Sequence, residues 1–162
     1  MGELIVRYVK WGVGVVLVWV LAYVYNRYGC QGMEGPEMDP TIAPESFQLL
    51  TYTAPDERSL RVQQIVVYEY EHPGEARTRF VARIVGVPGD RVKLEGGRLF
   101  VNGREQSSEV VAENYRSAED LAEVIVPRDS YFLLCDNRRD YRSYDSRGIG
   151  PVHVSAILGT LR

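Results

Sequence analysis

Phe80-Val81-Ala82-Arg83-Ile84-Val85-Gly86-Val87-Pro88-Gly89-Asp90-Arg91-Val92 is the stretch on which the reading of this chain turns. Its β-branched and aromatic residues favour a strand, and Pro88-Gly89-Asp90 stops that strand with turn chemistry. Gly96-Gly97 then separates 91–95 from 98–101, and Asn102-Gly103 closes the second run. Such pairs predict a hairpin. Upstream, 47–52 and 62–71 read as strands bounded by Pro55-Asp56 and Pro73-Gly74; downstream, 131–135 reads as a buried strand and 152–161 as the last one. The polar segment 105–113 reads as a loop. Residues 117–123 read as a short helix with Ser117 as N-cap, and 136–150 as an arginine-rich loop. Short strands with Gly/Pro turns predict a mostly β body, an irregular barrel or sandwich.

The N-terminus follows another pattern. Trp11 to Tyr25 is fifteen residues without a charge, and extending back to Leu4 takes in Arg7 and Lys10. A membrane span needs ~20 residues, and basic side chains near a helix end can reach back to the interface. Trp11, Tyr23, Tyr25 and Tyr28 stand at its ends like interfacial anchors. Arg7 and Lys10 on the leading side predict a cytoplasmic N-terminus and an extracytoplasmic body. No small-x-small site follows the run, which favours an uncleaved anchor over a removed signal peptide or a buried core helix. The expected layout is an anchor helix over 1–28 and one β domain over 29–162, with 26–35 as a short linker between the helix and the strands.

Bulk numbers exclude several functions. At 162 residues with net charge −3, the chain has no phosphate-tracking character, so nucleic acid is not an expected partner. Two cysteines, Cys30 and Cys135, are too few for a disulfide scaffold and match no zinc spacing. No metal or other cofactor is expected. Of 19 basic residues only Lys10 and Lys93 are lysines.

Three stretches together resemble the type I signal peptidases. The first is Gly35-Pro36-Glu37-Met38-Asp39-Pro40-Thr41-Ile42, where the family's nucleophile loop reads Ser-x-Ser-Met-x-Pro-Thr. The second is the opening stretch, where the family has an aromatic, Val, Lys, Arg, two apolar residues and Gly-apolar-Pro-Gly-Asp. The third runs Leu134-Cys135-Asp136-Asn137-Arg138, then Ser143-Tyr144-Asp145-Ser146-Arg147 and Gly150; the family has Gly-Asp-Asn-Arg, then Ser-x-Asp-Ser-Arg and Gly. The resemblance implies an all-β fold on an N-terminal helix, in which a serine attacks a peptide carbonyl and a desolvated neutral lysine takes its proton. It also implies cleavage of signal peptides after small-x-small.

The departures fall on the chemistry. Glu37 stands at the nucleophile position, Ala82 at the base and Gly35 at an oxyanion-hole serine; Ser143 is matched. Neither Lys10 nor Lys93 lies in a motif, so no base replaces the missing one. Glu37 as a new catalytic acid would need a second placed carboxylate or a metal. Cys135 as a nucleophile would need a base to form its thiolate, so a packed thiol is its default reading. Pairing of Cys30 with Cys135 stays open, as both lie near the nucleophile loop in the family fold. The resemblance gives Pro36, Met38, Pro40 and Val81 as substrate contacts. It gives Arg83, Asp136, Asn137, Asp145, Ser146 and Arg147 structural roles, with Arg83, Asp145 and Arg147 in one buried charge cluster. The function expected is a membrane-anchored signal peptidase-like protein without its dyad, binding exported peptides or pilin-like segments in an assembly role. An engineered inactive peptidase and a scaffold subunit of a membrane complex remain alternatives.

Overall fold

The structure is a computed structural model describing residues 2–52, 60–74, 76–106, 119–139 and 144–161, with side chains from Tyr8 onward. Helix α1 (Gly2–Arg27) stands clear of the body, and its side chains from Tyr8 to Asn26 are exposed. Its segment Tyr8–Arg27 is long and apolar enough to cross a membrane. An apolar surface of this kind, unburied by its own chain, is what a bilayer covers.

The chain passes from α1 directly into β1 (Tyr28–Gly32), a segment expected to be a linker. Strand β1 pairs antiparallel with β2 (Phe47–Tyr52), Cys30 opposite Leu49, and the Arg27 guanidinium donates to the Tyr52 carbonyl. The remaining elements are β3 (Ile65–Tyr70), β4 (Thr78–Gly86), β5 (Arg91–Glu95), β6 (Arg98–Val101), β7 (Arg104–Glu105), β8 (Leu121–Ile125) and β9 (Ser130–Leu134). They end with the short helix α2 (Ser146–Ile149), β10 (Val152–His153), a 3-10 turn and β11 (Ile157–Leu161). One antiparallel sheet has the order β1-β2-β11-β3-β4-β9-β10 and the other β7-β6-β5-β8. Neither closes on itself, so of the two expected forms the body is layered rather than a closed barrel.

The expectation of a helix over 117–123 needs correction. Leu121–Ile125 is a strand, paired with β5 through Arg91↔Ile125 and Leu94↔Leu121; Ser117 and Ala118 lie outside the described residues. Its Ala and Glu residues have helical propensity, but β5 offers a free edge, and Leu121 and Val124 pack against the Val92–Leu94 cluster. Tertiary pairing outweighs so weak a local preference. In the segment expected as the loop 105–113, Arg104–Glu105 prolongs the hairpin and 107–113 lie outside the described residues.

Period-2 alternation divides the core between the faces of the larger sheet. Val66, Tyr68, Ala82, Ile84, Tyr131 and Leu133 fill one side. Val85, Phe132 and Leu134 instead meet Val92, Leu94 and Leu99 of the smaller sheet. A third cluster joins Leu50, Val67 and Val81 to Met33, Met38 and Ile42 of the loop after β1. That cluster fixes the loop against the sheet.

Gly159 is where β11 passes closest to β2. A Cβ there would stand 2.9 Å from the Thr51 carbonyl carbon and 3.0 Å from Tyr52 Cα, backbone atoms with no rotamer to escape into. Gly159→Ala should therefore cost about 2 kcal/mol of unfolding free energy, the scale of overpacking, measured by urea denaturation.

Candidate functional site

The 33–42 loop is built around Met38, which has no exposed surface. Its turn is closed by Asp39 N–H to Pro36 O (3.1 Å) and Ile42 N–H to Met38 O (2.9 Å). Asn137 clamps it from across the chain: its N–H donates to Glu37 O at 2.9 Å and its Nδ2 to Pro36 O at 3.1 Å. Glu37 is thus held by its backbone, with its carboxylate left to the cleft.

Arg83 forms a fork on Asp136, Nε to Oδ1 at 2.9 Å and Nη2 to Oδ2 at 2.6 Å. The side chains are 11% and 3% exposed. Thr41 Oγ1 donates to Asp136 Oδ2 at 2.6 Å, and Arg83 Nη1 donates to the Gln63 carbonyl. Asp145, fully buried, caps α2 by accepting from Arg147 N–H and also accepts from Cys135 N–H (3.1 Å) and Arg147 Nε (2.9 Å). Ser146 Oγ accepts from Leu133 N–H, and Arg147 Nη1 donates to the Arg138 carbonyl. The expected single charge cluster is therefore two pairs, with Asp136 rather than Asp145 as the partner of Arg83. Burial pulls the Arg147 guanidinium's pKa down, but its bonds and attraction to Asp145 outweigh this and raise it.

Ala82 lies fully buried opposite Val66, in the cluster that holds Tyr68 and Cys135. Tyr68 donates its phenol to the Tyr144 carbonyl at 2.5 Å. Burial first, then the charges of Cys135, Asp145 and Glu37, push that phenol far above its ordinary pKa. Glu37 is thus within electrostatic reach of the cluster containing Ala82. Gly35 is coupled to Glu37 sterically: a Cβ at 35 would lie 2.7 Å from Glu37 Oε2. Ser143 lies outside the described residues.

A cleft of about 610 Å³ opens between Gln31-Gly32-Met33 on one wall and Thr78-Arg79-Phe80-Val81 on the other, with Glu34 and Glu37 at its margin. Both walls are strand edges. In the described residues β1 pairs only with β2, and β4 meets β9 only from Arg83 onward, leaving 78–82 unpaired on that side. Of the four expected substrate contacts, Val81 lines the cleft, whereas Pro36 and Pro40 are exposed outside its lining. Met38 is sealed in the core and has no surface to offer a peptide. Cys30 is exposed and Cys135 buried, and no disulfide joins them; Cys135 Sγ lies 3.8 Å from Val81 O. Among the described residues no group of three or more His, Cys, Asp or Glu is placed to hold a metal. Thr41, Gln63, Tyr68 and Tyr144 are not marked as site residues by the sequence; Thr41 and Tyr144 lie inside matched motifs, Tyr144 at a variable position, whereas Gln63 and Tyr68 have no motif to mark them.

Residues 5–162 match the family described as "Signal peptidase, peptidase S26". Similar proteins include signal peptidase I P of Bacillus subtilis subsp. natto, 29% identical over 93% of this chain and 84% of its own length. Another is signal peptidase I of Bacillus amyloliquefaciens, 30% identical over 93% and 83%. The crystal structure of a signal peptidase I from Enterococcus faecalis V583 superposes with TM-score 0.52 at 27% identity, covering 64% of this chain and 97% of that one. The chain belongs to the signal peptidase S26 family, and its relatives named above are signal peptidases I.

Removing one member of the Arg83–Asp136 pair strands the other in a poorly hydrated site. Asp136→Ala should cost about 3–5 kcal/mol of stability, and Arg83→Met with Asp136→Leu clearly less, measured in a double-mutant cycle of chemical denaturation. Tyr68 gives a pH test. Its folded pKa is raised, so its contribution is complete below the unfolded value near pH 10 and is lost as pH rises above it. Tyr68→Phe should lose less stability than the parent chain between about pH 10 and 11.5.

Proposed function

We propose that this chain is a membrane-anchored signal peptidase-family protein that has lost peptide cleavage and kept the peptide groove. It binds an extended exported or pilin-like segment and acts in its handling or assembly. The observation that carries this reading is the cleft bounded by two strand edges that no described strand pairs, beside positions that hold Glu37 and Ala82. An extended peptide can add as a strand to such edges through backbone hydrogen bonds, which need neither nucleophile nor base. Cleavage needs both. A carboxylate at 37 cannot replace an activated hydroxyl without a partner set, and a methyl group at 82 accepts no proton. Lys93 offers no substitute: it is half-buried on β5 of the smaller sheet, and its hydrogen bond to Glu95 and that residue's charge raise its pKa, holding it protonated.

Purified protein should leave signal-peptide substrates intact in detergent. Glu37→Ser with Ala82→Lys should restore weak cleavage, since a lysine at 82 would be desolvated among fully buried neighbours. Each of those changes alone should do nothing. Gly35→Ser should raise the rate only in the Glu37→Ser background, because the present carboxylate occupies the space of a Cβ at 35. One oxyanion-hole donor is worth about 10²–10³ in rate. Cleavage by the unaltered chain that Glu37→Ala abolishes would defeat the reading. The reading also puts Met1 in the cytoplasm and the β domain outside. A reporter active only in the cytoplasm, fused after Arg162, should stay silent.

A further inference from the structure

We infer that the cleft selects peptide segments carrying a lysine or arginine side chain that reaches Glu37, a requirement distinct from the small-x-small pattern of the family; this rests on the groove-binding reading above. The inference comes from charge accounting along the cleft. Its own cations are already engaged: Arg77 lies 3.9 Å from Glu69 and 3.6 Å from Glu71, and Arg79 lies 3.3 Å from Glu69. Arg83 is committed to Asp136 at 2.6 Å. Glu34 and Glu37 line the same cleft, and among the described residues neither has a cation within ion-pair distance.

Glu37 is half-buried, its backbone is fixed by Asn137, and its carboxylate lies over Gly35, where any Cβ would intrude. Gly35 is thus a positioning residue that gives the carboxylate its place. A peptide with only small neutral side chains laid against this carboxylate would remove its water and return nothing. An ammonium or guanidinium would replace that water with a charge-assisted hydrogen bond. At a partly desolvated site such a bond discriminates strongly, and the missing partner is penalised more than its presence is rewarded.

The test uses the full chain in detergent and a fluorescent host peptide of alternating alanine and serine, with lysine, norleucine or glutamate scanned through each position. Affinity is read by anisotropy. At one position lysine should bind at least about tenfold tighter than norleucine, and glutamate weaker than either. Added salt should erode the lysine advantage and leave norleucine binding nearly unchanged. Glu37→Gln, close to isosteric, should abolish the lysine–norleucine difference while retaining norleucine binding, and Gly35→Ala should reduce that difference by displacing the carboxylate. Peptides that bind equally well with lysine and norleucine would overturn the inference and leave the groove reading standing. A lysine preference that survives Glu37→Gln would also overturn it. Failure of every peptide to bind would overturn both.

Discussion

The fork between Arg83 and Asp136 is the contact on which the arrangement around the cleft depends. It joins β4 to the loop after β9, and through Thr41 it fastens the loop after β1 to the same point. Three segments distant in sequence meet on one carboxylate, nearly out of water. Breaking such a contact leaves a buried charge, at a cost comparable to much of a small domain's stability. Asn137, the next residue, then holds the carbonyls of Pro36 and Glu37. The geometry of the site is therefore maintained by folding requirements that involve neither a nucleophile nor a base.

On the proposed reading, this separation lets the family's fold persist without the family's chemistry. Ala82 completes a packed cluster of apolar side chains, and Glu37 is fixed through its main chain. Neither position is asked by the fold for a serine or a lysine. The strand edges of the cleft are a separate resource, since they offer backbone donors and acceptors regardless of side chains. On the proposed reading, loss of the dyad removes bond cleavage and leaves that recognition in place.

Much of the body was legible in the sequence. Strands β2 and β3 follow from runs of β-branched, aromatic and apolar residues that end at Pro or Pro-Gly signals, and β5 and β6 from the Gly-Gly and Asn-Gly turn pairs that bound them. Strand β1 was read as a linker because Tyr-Gly-Cys-Gln-Gly has little strand propensity of its own; it exists because β2 supplies a partner. Strand β8 was read as a helix for the converse reason, local propensity yielding to an open edge. At the site, the motifs marked the charged residues but not their pairing, so Arg83 was grouped with Asp145 although Asp136 receives it. Met38 was read as a substrate contact because it lies in the loop motif. Burial against Leu50, Val67 and Val81 could be learned only from the fold.

The central claim is that peptide adds as a strand between the two edges of the cleft. Hydrogen exchange measured by mass spectrometry, on the full chain with and without a saturating lysine-containing host peptide, tests it most directly. Slowed exchange is expected in 28–33 and 78–82, with the β5–β6 hairpin unchanged. Bound peptide that leaves both edges exchanging as before, or protects only the smaller sheet, would contradict it.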